Sequence, residues 1–372
     1  MQLKYAHFKY AFLAVLAIPV FAAQQLPPIT VENPAGLIGG PVVVNAGPRS
    51  ATVVWLTKTG ELAATSDAEK LQAMVKVNTK VFKDLTPGTE YDYEFRGTDT
   101  VHGRFFTAPE GQADFEFIAY GDTRSRHDVH QQVVDEMVKY DPAFVVHTGD
   151  VVANGTHTDL WARFFDIEKQ LLAKTDVFPA AGNHEHQAPQ YFDFLAAKDH
   201  YSFNWGRAHF AIIDTNVGQI PKDRRESFWT EQKNWLDDDL ASARDADFRF
   251  VIMHHPPFSA SRAAINKEAR ELVPIFEKRA VTAVFAGHDH NYQRHVKNGI
   301  QYIVTGGGGA PLYDVKSPIP DITVTAVKAE NFVRVQVKGN TAIMTAIGRN
   351  GEQLDQVRVQ AAPNIMPLAT GR

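Results

Sequence analysis

Short apolar runs and polar breaks divide this chain into two regimes. Over residues 24–110, β-rich runs at 41–45, 51–56, 74–77 and 91–96 are separated by Gly, Pro and Asn, the pattern of short strands joined by turns. From residue 113 onward, strand-like runs alternate with stretches of helical period at 127–140, 159–172 and 231–243. A further helical piece at 270–278 is interrupted by Pro274. Such alternation predicts an α/β unit. Beyond Gly309, strands are expected at 332–337, 342–347 and 356–360, with Gly339-Asn340 as a hairpin turn. The expected division is an all-β unit over 24–110, a linker at 107–112, an α/β unit over 113–360 and a loose tail at 361–372.

Residues 1–23 read as a secretory leader. Lys4, His7 and Lys9 precede an apolar run over 10–21, followed by small residues. That run contains Pro19 and is shorter than the stretch of about 20 residues that spans a bilayer. No later segment is long and apolar enough to span, so an exported location, periplasmic or extracellular, is expected. The chain of 372 residues is 44% hydrophobic and 22% charged, an ordinary globular composition. A net charge of −5 offers no basic footprint for nucleic acid. With no cysteine, disulfides, thiolate metal sites and cysteine nucleophiles are excluded.

Five segments carry the chemistry: FIAYGDTR (117–124), FVVHTGDVVANG (144–155), VFPAAGNHEH (177–186), FVIMHHPPF (250–258) and AVFAGHDHNYQRH (283–295). Each runs an apolar strand into an Asp, Asn or His cluster. Open α/β sheets place their sites beyond the carboxyl ends of strands. Oxygen and imidazole donors without thiolate suit hard to borderline cations. In this order, GD, GD, GNHE, a lone His strand end and GHxH resemble the calcineurin-like metallophosphoesterase superfamily, over about residues 115–309. The segment LTPGTEYDYEFR (85–96) resembles the tyrosine-corner region of a fibronectin type III-like sandwich. Tyr91 or Tyr93 would be the corner, and Trp55 would sit in that core. A β-sandwich ahead of the phosphoesterase unit resembles the purple acid phosphatase branch. The resemblance implies a four-layer α/β/β/α sandwich, preceded by the fibronectin type III-like domain.

The resemblance also implies a ligand set. Asp122 would hold metal 1, and Asp150 would bridge two ions, which two-metal hydrolases keep about 3.5–4 Å apart. Asn183, His254 and His288 would hold metal 2, and His290 metal 1. His184 would bind the phosphoryl group and protonate the leaving oxygen. Successive strand residues face opposite ways, so His255 is expected to contact substrate or cover the mouth. Asp289 would lie behind the site or at the surface. Tyr292 and Arg294 are expected to shape the pocket. The Gly306–Gly309 run lacks the Lys-Ser/Thr of a P-loop and is read as a close backbone approach.

Two positions depart from the family pattern. Many members carry Asp-x-His in the first motif, where this chain has Arg124. Purple acid phosphatases supply a Tyr three residues after the bridging Asp, where this chain has Ala153. Metal 1 then keeps three protein ligands, which still suits a catalytic site. No purple colour is expected, and the cofactors are two ions drawn from Fe, Zn or Mn. Arg124 is a candidate for phosphate contact through its fork of donors, or for an ion pair at the surface or behind the site. Arg126, His127 and His130 read as first turns of the helix that follows, with His127 as a candidate replacement ligand for metal 1.

These features predict an exported phosphomonoesterase acting on a small phosphate ester, with direct transfer to a metal-activated hydroxide. A phosphodiesterase with the same centre is the second reading, decided by loops at 154–161, 186–201 and 259–268. A catalytically weak binding protein is the third, supported only by the thinned metal 1 set.

Overall fold

The computed structural model describes residues 23–58, 75–185, 187–195, 197–261 and 266–361. Apart from residues 23 and 361, the expected leader and tail lie outside the described residues. Two large sheets form the body. One has nine strands, in the order Gln353–Gln360, Thr341–Gly348, Asn331–Lys338, Phe115–Tyr120, Phe144–His147, Asp176–Pro179, Leu37–Val44, Ala51–Lys58 and Val75–Phe82. The other has seven, in the order Tyr201–Trp205, Ala208–Ile212, Phe248–Ile252, Ala283–Ala286, Ile300–Thr305, Tyr292–Lys297 and Thr323–Val327. Their central strands are parallel.

Strand alternation explains the layers. In Phe115–Tyr120, Phe117 and Ala119 face the second sheet, while Ile118 and Tyr120 face the helices. Phe117 stacks on Phe144 with ring centroids 5.1 Å apart and meets Phe210 edge-on at 5.2 Å. Helices His127–Met137 and Thr158–Leu172 cover the first sheet. Helices Arg225–Ser242 and Val273–Lys278 cover the second. This is the four-layer α/β/β/α sandwich expected. Helix Arg225–Ser242 starts six residues ahead of its sequence expectation. Its buried stripe is narrow, consisting of Trp229, Gln232, Leu236 and Leu240, and its polar first turns hide the period. Pro274 begins a new helix rather than ending one, because its missing N–H costs nothing in a first turn.

The N-terminal unit is all-β, but its strands do not form a closed pair of sheets of their own. Strand Leu37–Val44 pairs in parallel with Asp176–Pro179, so the hairpin of residues 37–58 continues the nine-stranded sheet. Val43 and Val53 pack on a separate four-stranded sheet, with Tyr91, Phe95 and Phe105. Val42, Val44, Val54 and Leu56 face helix Thr158–Leu172. Tyr91 accepts from the Thr86 N–H five residues upstream at 2.9 Å, and Tyr93 instead donates to Ala173 O at 2.9 Å. Trp55 is half-buried and meets Phe95 edge-on at 5.6 Å, at the margin of that core rather than in it.

A buried polar row runs behind the second sheet. Gln293 donates to Asp289, Ser261 and Asn291, and its Oε1 accepts from the Ala260 N–H at 2.6 Å. Ser259 also donates to Asp289. The row thereby fixes the loop that follows His254. Tyr292 and Arg294, expected at the pocket, instead bind Asp355 of the closing strand. They fall on strand positions that face away from the site. His295 lies at the end of the row, with Nε2 2.9 Å from Gln293 Oε1 and Nδ1 3.0 Å from Thr323 Oγ1. Burial lowers the His295 pKa to about 4. The unfolded chain gains this proton near pH 6.5, and the folded chain only near 4. His295 should therefore cost up to about 3 kcal/mol of stability as pH falls across that window, and nothing above it. Urea unfolding of wild type and His295→Gln at pH 7.5 and 4.5 checks this, with the variant losing less stability on acidification.

Candidate metal centre

All five sequence motifs meet at the carboxyl ends of the central strands. Asp122 follows strand Phe115–Tyr120, and Asp150 follows Phe144–His147. Asn183 and His184 follow Asp176–Pro179, His254 follows Phe248–Ile252, and His288 and His290 follow Ala283–Ala286. Neighbouring strand ends hold one another. The Asp122 N–H donates to Gly149 O at 2.9 Å, the Gly287 N–H to His254 O at 3.0 Å, and the Ala310 N–H to Asp122 O at 2.8 Å. Asp122, Asp150 and His288 all adopt positive φ, at 59°, 55° and 67°. Left-handed backbone at three such residues is strain of the kind found at functional sites.

Glycines let these turns close together. A side chain at Gly287 or Gly306 would collide with the Asp122 carboxylate, and one at Gly308 with Gly121 O. The Gly306–Gly309 run thus passes the backbone directly behind Asp122, as its sequence suggests.

Three histidines have their tautomers set from outside the cluster. A carbonyl oxygen only accepts, so Nδ1 of His254 donates to Thr148 O at 2.8 Å. Likewise Nδ1 of His290 donates to Pro311 O at 2.7 Å, and Nδ1 of His184 to Ala153 O at 2.7 Å. In the neutral rings, Nε2 is therefore the lone-pair nitrogen. His254 Nε2 lies 3.1 Å from Asn183 Oδ1, 3.4 Å from Asp150 Oδ1 and 3.3 Å from His288 Nδ1. His288 Nδ1 is 3.0 Å from Asn183 Oδ1. His290 Nε2 lies 3.4 Å from Asp122 Oδ1, an atom with no hydrogen-bond partner among the described residues.

Nitrogen and oxygen atoms converging this closely are the donor set of a cation. Two groups result: Asp122, Asp150 and His290 in one, and His254, His255 and His288 in the other, where Asn183 also points. Backbone carbonyls orienting the far ring nitrogens are a usual support of metal-ligating histidine. Burial, reinforced by the neighbouring Asp150 charge, pushes the Asp122 carboxyl well above the usual range. Burial also opposes ionisation of Asp150, but His254 and His184 overcome it and hold that carboxyl low. Cations at the two positions would supply the compensating positive charge that favours an ionised Asp122. The residues present fit two ions.

His184 Nε2 is 3.8 Å from Asp150 Oδ2, and the ring is partly exposed, so it faces the mouth of the same site. Arg124 Nε lies 3.5 Å from Asp150 Oδ2. Both His254 and His255 reach the cluster, because the strand ends at Ile252 and alternation no longer applies two residues later. Thr215 accounts for the pose of His255: its Oγ1 accepts from the His255 N–H at 3.1 Å and lies 2.9 Å from Nδ1. Tyr313 stacks on His290 with centroids 4.0 Å apart. His127 opens helix His127–Met137 beside Arg163 and joins neither ligand group.

Residues 115–292 match the family described as calcineurin-like phosphoesterase. They form a calcineurin-like phosphoesterase domain. An uncharacterised protein of Mycobacterium tuberculosis is 26% identical over 340 residues, covering 78% of this chain and 60% of that protein. Purple acid phosphatase 21 of Arabidopsis thaliana is 26% identical over 252 residues, covering 60% of this chain and 56% of that one. The chain thus spans at most about 60% of the length of these curated relatives. Among solved structures, a purple acid phosphatase from yellow lupin seeds superposes with a TM-score of 0.68 at 16% identity, covering 86% of this chain and 74% of that one.

Within the phosphoesterase domain, sequence reading assigned no role to Glu185. Its buried carboxylate accepts from the N–H groups of Gly182, Asp150, Val151 and Val152, at 2.6, 3.0, 2.9 and 3.4 Å. It therefore clamps the turn bearing Asp150 to the turn bearing Asn183. Its place directly after Asn-His was the available signal. Glu185→Gln replaces one acceptor oxygen with a donor that faces N–H groups. The expected cost is about 1–3 kcal/mol, together with weaker binding of both ions. Thermal unfolding and metal content at fixed free Zn(II) check this; a variant equal to wild type in both would remove the positioning role.

Proposed function

We propose that this protein is a two-metal phosphohydrolase that cleaves phosphomonoesters by direct transfer to water. The observation that carries the reading is the convergence of the Asp122, Asp150, Asn183, His254, His288 and His290 donors, with His184 Nε2 facing the same opening. Asp122, Asp150 and His290 would hold one ion; Asn183, His254, His288 and the shared Asp150 the other. When bound, such ions supply Lewis acidity toward phosphoryl oxygens and acidify water.

This chain's own residues supply the rest. The Nδ1 proton of His184 is held by Ala153 O, so in the imidazolium form it is the second proton, on Nε2, that passes to the departing alkoxide and leaves the neutral ring. Arg124 brings a charge that cannot be lost and further N–H donors for a phosphoryl oxygen. His255, braced by Thr215, lines the same opening and is assigned to substrate. No Ser or Asp stands as a covalent nucleophile in this assignment. The matched relatives named as purple acid phosphatases support phosphate ester chemistry. The basic start and apolar run of residues 1–23 support export.

His184→Asn should lower kcat by about 10²- to 10⁴-fold, with metal content unchanged. The loss should be largest for esters of poorly acidic alcohols, whose departure needs the proton. The reading itself is tested by turnover of paired aryl phosphate monoester and diester by the metal-loaded protein, with a chelated control. Chelator-sensitive preference for the monoester is expected. Preference for the diester would transfer the assignment to phosphodiester cleavage, and no turnover with two ions bound would refute ester hydrolysis for these substrates.

A further inference from the structure

The two ion positions share Asp150 but differ in what surrounds them. Asp150 Oδ1 turns toward His254 Nε2 at 3.4 Å and accepts the His184 N–H at 2.9 Å. Oδ2 turns toward Arg124 Nε at 3.5 Å. Arg124 is mostly buried, and its Nε has no hydrogen-bond partner among the described residues. A guanidinium does not give up its proton in this range. A fixed positive charge therefore stands beside the Asp150 oxygen that is turned away from His254.

Charge and donor count then act separately. An ion at the Asp122 position would draw that carboxyl into its charged form and so gain a negative ligand the other position lacks, which alone would make the Asp122 position the tighter. The Arg124 charge, which also acts on Asp122, opposes a cation there and offsets that advantage. Donor count then decides: Asp122, Asp150 and His290 on one side, against Asn183, His254, His288 and Asp150 on the other. We propose that Arg124 makes the two ion positions unequal, so that the Asn183, His254 and His288 position fills first and the Asp122 and His290 position fills weakly.

The inequality rests on the two-metal reading above, yet the two are separable. Both ions can bind as described in a protein that turns over no ester, and turnover can coexist with two equal positions. The size of the effect is bounded by simple electrostatics. A dication about 5 Å from a guanidinium, screened as in bulk water, binds about tenfold more weakly than without it, and more so at lower dielectric.

The test is calorimetric titration of the metal-free full chain with Zn(II), and separately with Mn(II), alongside elemental analysis of bound metal. Wild type should show two steps separated by at least about tenfold. Arg124→Gln should tighten the weak step at least about tenfold and leave the strong step in place. Arg124→Lys, which retains the charge, should keep the gap. Asp122→Asn should abolish only the weak step. A single step of two equal ions in wild type, an unchanged gap in Arg124→Gln, or loss of the strong step in Asp122→Asn would each overturn the proposal. Circular dichroism reports folding of every variant, and the Asp122→Asn comparison stands if Arg124→Gln does not fold.

Discussion

Two carboxylates, Asp122 and Asp150, are buried side by side at the ends of adjacent parallel strands. Like charges in a water-poor setting cannot both persist without compensation. Burial drives Asp122 toward its neutral form, and only the surrounding imidazoles, Arg124 and backbone donors keep Asp150 ionised. Strained turns, packed glycines and carbonyl-oriented histidines all serve to hold this unfavourable pair where cations would relieve it. The cost is local, and the fold that meets it is large: three buried cores press the strand ends into register.

Rigidity behind the pair comes from the contact between sheets. Phe117, Phe144, Phe210, Phe250 and Phe285 interlock between the two parallel cores. Aromatic pairs in edge-on and offset arrangements add directional preference to burial. Strands meeting through such rings cannot slide without losing many contacts together, so donors from opposite sheets stay within 3–4 Å of one another. Asn183 and Asp150 come from the first sheet, His254 and His288 from the second. The centre therefore exists only as long as the sheets stay packed.

The candidate donors were legible because each follows its own apolar strand within a few residues. The α/β character was legible from the change in apolar period after residue 113, and the four layers only from the family resemblance. Relations between distant segments were not. Glu185 gains its role from N–H groups more than thirty positions away, and Tyr313 reaches His290 across a glycine-rich loop. His255 is held in its pose by Thr215, forty positions earlier. The sheet that runs through the expected domain division left one trace: Val42, Val43 and Val44 are consecutive, and all are buried. Three apolar residues in a row signal a strand covered on both faces, whereas a sandwich with one solvated face would alternate.

That doubly covered strand bears on how the N-terminal unit relates to the site. Strand Asp176–Pro179 leads directly to Asn183, His184 and Glu185, and its outer neighbour is Leu37–Val44. Asp176 accepts from the Ala46 N–H at 2.6 Å, and Tyr93 and the Arg104 N–H both bind Ala173 O just before that strand. Without the N-terminal hairpin, the strand carrying three site residues would become a sheet edge, with a buried carboxylate stripped of its donor and an apolar face of helix Thr158–Leu172 uncovered. An unpaired edge is free to fray or to pair wrongly. The N-terminal β unit is thus a structural member of the metal centre, and its sheet continuity, more than any contact with a ligand residue, ties it to the chemistry.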